Sequence, residues 1–411
     1  MTTSVVPWFV VREEIAEKFR LAGLENFSLL GSNSIYQESN PLWRQHVQSF
    51  KSWIRGGNHG SMGYLARNLE VRADPRLLLD GSGSTFVFLV PYDAGHQVRR
   101  RGEDQQNVLA PTGKSSVFGM VARYARHRDY HRVIKRRLSS LFSELSLSLD
   151  GSSESVGGSK AFNFRVVVDS IPFLDRAHAH MAGLGFVGRN TLLIRPGIGS
   201  YFFIASVIID CEPGRFGHVE DRPAANRRLA DLDCGECNLC VESCPTGALL
   251  GDSTMDARRC VSYLSIEHRG KVPEEFLSSF AETMFGCDIC QEVCPYNFRT
   301  EDARRWSEFR ESPRVLQNLE VIHVAVMSPS EYEQWFGGLP LTRAKFQGLV
   351  RNALYSLFAL GDLESLQKAI AHWESQQNWT HISDPESGHK IHEFPELAEV
   401  IRHLKCLLAM R

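Results

Sequence analysis

The sequence predicts an α+β protein in three parts: a mixed α/β region over 1–225, a small cysteine-rich unit over 226–300 and a helical region over 301–411. Three observations carry this prediction. Short apolar runs rich in β-branched and aromatic residues recur in the first half, as buried strands do. Eight of the ten cysteines fall between Cys234 and Cys294. After Pro313 the apolar residues take up helical spacing.

Taken in order, residues 44–55 read as an amphipathic helix and Thr85–Tyr92 as a buried strand ending near Pro91. Val117–Val121 reads as a further strand. From Asp129 to about Leu147 runs a helix with a strongly basic first half. Phe164–Val168 and Tyr201–Ile209 have the continuous apolar character of central strands. Two polar stretches, 99–107 and the Ser/Gly-rich 150–160, read as loops. Leu341–Leu360 and Leu363–Trp373, separated by Gly361 and Asp362, form a helical hairpin like one unit of a HEAT-type repeat.

A hydrophobic content of 43% with 23% charged residues indicates a globular chain, not a disordered one. The formal net charge of −2 argues against a globally basic nucleic-acid binder, and leaves room for local basic patches. No apolar run approaches the roughly 20 residues that span a bilayer. The first residues lack the features of a signal peptide. A cytoplasmic monomer is expected.

The cysteine pattern carries the chemistry. Cys234-x2-Cys237-x2-Cys240-x3-Cys244-Pro245 has the bacterial-ferredoxin spacing for a [4Fe–4S] cluster, in which the fourth cysteine serves the neighbouring cluster. The second run, Cys287-x2-Cys290-x3-Cys294-Pro295, has Met284 where its first cysteine belongs, and Cys260 is the unpaired cysteine nearby. By the cross-over rule, cluster one takes Cys234, Cys237, Cys240 and Cys294. Cluster two takes Cys244, Cys260, Cys287 and Cys290. Two four-cysteine zinc sites are the competing reading. Cys211 and Cys406 stand outside the pattern and read as inert thiols. Two adjacent clusters make an electron wire, whose terminus would be a flavin, a corrinoid or a partner protein.

Around the cysteines the sequence becomes more specific. Val168-Asp169-Ser170-Ile171-Pro172-Phe173-Leu174-Asp175-Arg176 is followed by Ala182-Gly183-Leu184-Gly185-Phe186-Val187-Gly188-Arg189-Asn190-Thr191. Later come Arg259-Cys260-Val261-Ser262-Tyr263-Leu264-Ser265-Ile266-Glu267 and Phe285-Gly286-Cys287-Asp288-Ile289-Cys290-Gln291. In order and spacing, from about Met62 to Asn297, this resembles the epoxyqueuosine reductase family.

The resemblance implies that the N-terminal region binds cobalamin, that two [4Fe–4S] clusters feed it electrons from an external donor such as a flavodoxin or ferredoxin system, and that the substrate is a tRNA anticodon loop carrying epoxyqueuosine. The epoxide would be reduced to the cyclopentene of queuosine. Asp169 would be the proton donor, kept protonated by burial at a strand end; helix capping is its ordinary alternative. Leu193, Ser262 and Asp288 would lie near the corrin, with Tyr130 and Tyr124 on the cofactor side. Arg176 would face corrin or substrate, or pair with Asp175. Gly183, Gly185 and Gly188 read as close-packing or phosphate-approach glycines. The D-x-H-x-x-G signature of cobalamin-on-histidine proteins is absent, since Ile134 fills its glycine position after Asp129 and His131.

For tRNA, His268 and Arg269 are the candidates nearest the expected active site, with Lys271 beside them. The basic run Arg123, Arg126, Arg128, Arg132, Lys135, Arg136 and Arg137, and the helical Arg343, Lys345 and Arg351, are possible extensions. Ile171 stands where the family's motif has glycine, which bears on the local turn. The rival readings are another corrinoid iron–sulfur reductase and a ferredoxin-like electron-transfer protein. A carrier alone leaves the long region before the first cluster motif unexplained.

Overall fold

The computed structural model describes residues 8–37, 39–93, 116–150, 161–220, 229, 232–298, 305–376 and 394–410. The expected loops at 99–107 and 151–160 lie outside the described residues. Eight strands are present among those described: β1 (Trp8–Val11), β2 (Asn26–Gly31), β3 (Ser84–Pro91), β4 (Phe164–Val168), β5 (Phe186–Val187), β6 (Leu193–Ile194), β7 (Phe202–Ile209) and β8 (Gly217–Glu220). Six form one sheet in the order β4-β7-β3-β2-β1-β8, every pairing antiparallel. β5 and β6 make a separate two-stranded ribbon.

Every residue of β3 is buried because helices cover both faces of the sheet. Phe86, Phe88 and Val90 pack with Phe19 of helix Glu13–Leu21 and Phe142 of helix Tyr130–Asp150. Val87 and Leu89 point the other way, toward Trp43 of helix Pro41–Arg55 and Ala177 and Met181 of helix Asp175–Met181. Two-sided cover explains why this strand reads as an unbroken apolar run although its sheet is antiparallel.

Helix Tyr130–Asp150 packs along β4, and its first turn lies at the exit of that strand. A second tie holds the same helix to the start of the C-terminal region. Glu308 accepts hydrogen bonds from Arg137 (Nη2 2.7 Å) and Arg136 (3.0 Å), and Arg137 lies 4.7 Å above the Trp306 ring. Burial alone would raise the Glu308 pKa; the bonds from Arg137 outweigh it and hold the carboxyl at about 2. A drop from 4.5 to about 2 corresponds to roughly 3 kcal/mol of stability, fully present above the unfolded pKa and lost as pH falls through the folded one. Glu308→Gln should therefore lower the unfolding free energy by about 1–3 kcal/mol at neutral pH. Urea melts of the two proteins should converge as the pH is taken down through about 2.

The C-terminal core contains helices Lys345–Leu360, Leu363–Gln376 and Pro395–Ala409. The same apolar cluster takes in Val117–Ala125 and the Ala257–Phe285 region that carries Cys260. The expected hairpin is present, with Gly361 in the left-handed conformation that ends its first helix. That helix begins at Lys345, because Pro340–Ala344 form a 3-10 turn. Val117–Val121 is not a strand. Val117–Met120 is a 3-10 turn within the helical core, flanked by the isolated bridges Ser116–Glu320 and Val121–Phe285. A five-residue apolar run has no periodicity long enough to tell these apart.

Candidate active site and cluster ligands

Asp169 leaves the sheet directly after β4, where the strand has passed the core. Its side chain is 53% exposed, which corrects the expectation of burial. Nor does it cap a helix: the N-cap of Asp175–Met181 is Leu174. Its two oxygens are held by separate donors. The Tyr130 hydroxyl donates to Oδ2, and His131 Nε2 lies 2.5 Å from Oδ1. The other ring nitrogen, Nδ1, lies 2.8 Å from Asp129 Oδ1, which also accepts the His131 backbone N–H.

A histidine with both nitrogens on carboxylates is arranged as an imidazolium. Burial alone would lower its pKa; the two carboxylates outweigh this and push it up to about 9. The His131 ring stacks on Tyr130 at 4.1 Å, and Tyr130 stacks on Phe203 of β7 at 4.1 Å and 7°, so the sheet fixes both donors. The carboxyl that burial does keep protonated is Asp175. Its Oδ1 is buried without a hydrogen-bond partner, and burial, then the Asp169 charge, pushes it up to about 8.

Other groups gather around Asp169. Tyr124 is held neutral first by burial and then by the charges of Asp169, Asp288 and Glu267. Its ring lies 6.1 Å from Tyr130 and 6.4 Å from Phe285, next to the Cys287 turn. Tyr64 feels Glu267, Arg343 and Asp169. Arg343 bonds Glu267 at 2.8 Å and lies 5.3 Å from the centre of the Tyr64 ring. Strand, cluster turn and C-terminal region thus meet around Asp169.

Asp288 is buried on the cluster side of this space, where Oδ2 accepts the Arg123 N–H at 2.7 Å and burial pushes its pKa up to about 6. Ser262 is half-buried in helix Val261–Ile266. Leu193 sits in β6 with its side chain in the core, leaving only its backbone for contacts. Arg176 makes no direct ion pair with Asp175. It donates to the carbonyl of Thr191, a residue at φ +67°. Ile171 lies outside the positive-φ residues, so the turn after Asp169 has no need of glycine.

The cysteines gather as two neighbouring sets. Cys234, Cys237, Cys240 and Cys294 line one cavity, together with Arg189, Asn190, Ile194 and Tyr296. The Arg189 N–H points at Cys234 Sγ (3.4 Å) and the Ala248 N–H at Cys244 Sγ (3.3 Å). In the second set, burial pushes Cys287 up to about 12, helped by Cys260, Asp288 and Cys244. Burial also raises Cys290, which feels Cys287, Cys260 and, across the gap between sets, Cys240.

The two cysteine turns repeat one geometry: Ser243 and Val293, each just before the last cysteine, share φ −83° and ψ −7°. The β5–β6 ribbon packs on the first set, and its glycines serve close approach. A Cβ on Gly185 would lie 2.3 Å from the Ile194 carbonyl oxygen.

The tRNA candidates divide. Arg269 is exposed on the loop after helix Val261–Ile266, braced on the carbonyls of Ile266 and Arg343. His268 is half-buried and donates through Nε2 to the Lys271 carbonyl at 2.8 Å. Arg351, read as a surface extension, is 1% exposed and wholly internal. Most of the basic run is engaged within the fold: Arg123 with Asp93 and Glu292, Arg126 with the Val121 carbonyl, Arg136 and Arg137 with Glu308. Arg128, Arg132 and Lys135 remain exposed.

Residues 233–297 match the model of the 4Fe-4S double cluster binding domain, and residues 72–170 match that of Epoxyqueuosine reductase QueG, DUF1730. The epoxyqueuosine reductase of Pseudomonas aeruginosa is 33% identical over 314 residues, 76% of this chain and 78% of that relative. The chain belongs to the epoxyqueuosine reductase family. The family's named activity is a reduction, so the chain is an oxidoreductase. The Salmonella typhimurium relative is 31% identical over 345 residues, covering 84% of this chain and 80% of its own. The fold agrees with that of the Streptococcus thermophilus epoxyqueuosine reductase, with a TM-score of 0.70 at 22% identity over 97% of this chain and 99% of that one. A crystal structure of an epoxyqueuosine reductase with an epoxyqueuosine-modified tRNA-Tyr stem loop gives a TM-score of 0.68 at 22% identity, covering 96% and 98%. Among the described residues no helix is long and apolar enough to cross a membrane.

Proposed function

We propose that this chain reduces epoxyqueuosine to queuosine in the anticodon loop of tRNA, in the cytoplasm, using cobalamin and two [4Fe–4S] clusters supplied by an external electron donor. In this layout 1–225 hold the cofactor and reactive groups, 226–300 the clusters and 301–411 the helical support. Cys234, Cys237, Cys240 and Cys294 ligate cluster one; Cys244, Cys260, Cys287 and Cys290 ligate cluster two. The reading puts the cofactor in a recess beside Asp169; what supports it is that Asp169, held by two donors, and Asp288 of the Cys287 turn both act on Tyr124.

The recess suits a corrin on its own chemistry. It offers aromatic walls (Tyr64, Tyr124, Tyr130), a buried carboxyl oxygen without a partner at Asp175, and polar groups at Arg176, Ser262 and Asp288 that match the macrocycle's amide fringe. When bound there, cobalamin would supply a strong reductant and the cluster cysteines would hold the centres that provide its electrons.

The overall conversion consumes two electrons and two protons; both carbon–oxygen bonds break, a carbon–carbon double bond forms and the oxygen leaves as water. This chain's residues manage the protons. Asp169 Oδ1 receives a proton from His131 Nε2 and presents it to the departing oxygen. Asp129 keeps the imidazole oriented and charged, and Tyr130 fixes the carboxylate plane. Arg269 and His268, on the same rim, meet the RNA backbone.

His131→Gln should lower turnover about 10- to 100-fold with iron and cobalamin contents unchanged. Because the imidazolium persists up to about pH 9, wild-type turnover should fall as the pH rises through that value, and the variant should lose this limb. The reading itself is tested with anaerobically purified protein loaded with iron and cobalamin and given tRNA bearing epoxyqueuosine. About eight irons, one retained cobalt and queuosine among the digested nucleosides are expected. Full iron without retained cobalamin would remove the corrinoid from the proposal.

A further inference from the structure

In the second cysteine run Met284 occupies the place of a ligand, and the substituting thiol, Cys260, belongs to another turn of the chain. These two pieces must be held in register if they are to share one cluster. Two adjacent side chains inside helix Lys345–Leu360 touch both. Asn352, 0% exposed, donates through Nδ2 to the Ser265 carbonyl (2.7 Å), on the helix that follows Cys260, and to the Met284 carbonyl (2.9 Å), just before Cys287. Ser265 Oγ closes the circuit: it accepts the Gly286 N–H at 3.0 Å and donates to the Val261 carbonyl at 2.8 Å.

Arg351 completes the brace. Its Nη1 donates to the carbonyls of His268 (2.7 Å) and Gly270 (3.1 Å), and its Nη2 to that of Leu264 (2.7 Å) and to Asn352 Oδ1 (2.8 Å). Its Nε also donates to Asn352 Oδ1 at 3.1 Å. A guanidinium has five N–H donors, and these five bonds match that number. Each of these acceptors is a carbonyl or amide oxygen. Burying a cation and an amide among Leu349, Val350, Ala353 and Leu354 is costly, and apolar residues would fill the same space at no such cost. The polar pair is accounted for by what it holds.

We propose that Arg351 and Asn352 are positioning residues for the second cluster, fixing the detached ligand Cys260 in register with Cys287 and Cys290. The proposal rests on the ligand set given above for that cluster. By bracing residues 264–270 the pair also sets the loop that bears His268 and Arg269.

The test compares Asn352→Leu and Arg351→Lys with Cys260→Ser and Cys294→Ser, all purified and reconstituted without oxygen. Iron content, the electron paramagnetic resonance of the reduced protein and far-ultraviolet circular dichroism are read. Asn352→Leu should fall from about eight to about four irons and lose the component lost in Cys260→Ser, keeping the one lost in Cys294→Ser. Arg351→Lys, which keeps the charge but not the planar fan of donors, should keep its iron and shift that same component. Unchanged spectra in both variants, or equal weakening of both components, would overturn the proposal and leave a packing role. Should Asn352→Leu fail to fold, Arg351→Lys decides alone. If Cys260→Ser itself keeps both components, it is the ligand set that fails.

Discussion

Asp169→Asn is expected to abolish turnover, by about 10²- to 10⁴-fold, while iron content and cobalamin binding stay at wild-type levels. Asparagine is nearly isosteric, and its amide oxygen still accepts from Tyr130 or His131. The stack of Phe203, Tyr130 and His131 does not depend on residue 169 and should survive. What is lost is a group that can take a proton on one side and release it on the other. The measurement is a single-turnover assay with pre-reduced enzyme, which isolates proton delivery from electron supply. Wild-type rates there would hand the acid role to Asp175, the carboxyl that burial keeps protonated nearby.

Cys294→Ser is expected to remove cluster one and spare cluster two, although Cys294 belongs to the second run by sequence. The cavity that contains Cys294 is the one lined by Cys234, Cys237 and Cys240. Iron should drop to about half, and turnover with the external donor should fall to background, since electrons then lack an entry relay. Chemically reduced enzyme given substrate once should still react, because the inner cluster and the recess are intact. Loss of the other paramagnetic component would mean that each run ligates its own cluster and that the exchange of fourth ligands is wrong.

Much of this architecture was legible because it rests on local chemistry. β3 and β7 announce themselves as apolar runs that only a two-sided cover can bury, and the cysteine spacings are short enough for neighbours in sequence to be neighbours in space. The rest depends on contacts between distant segments. His131 pairs with Asp169 across a helix–strand contact, whereas in the sequence it enters only through the incomplete D-x-H-x-x-G pattern. The sequence Asp129-Tyr130-His131 was the available signal. Asp169 itself was expected to be buried, and the burial falls instead on Asp175, on the far side of the same turn. Arg351 sits among apolar neighbours that should have marked it as internal, yet charge alone placed it on the surface. Its acceptors are carbonyls 81–87 residues away.

The shared cavity also has a consequence for how the protein is made. Cys240 leaves the ribosome 54 residues before Cys294, an interval of roughly 3–10 s at ordinary rates of synthesis. Throughout it, the first three thiols are a site without its fourth wall, open to oxidation to sulfenic acid or disulfide. With the ligand sets proposed above, each metal centre would draw on cysteines from both segments. Loading either centre would then wait for the second run to emerge, and oxygen met in that interval should lower the iron content of the finished protein.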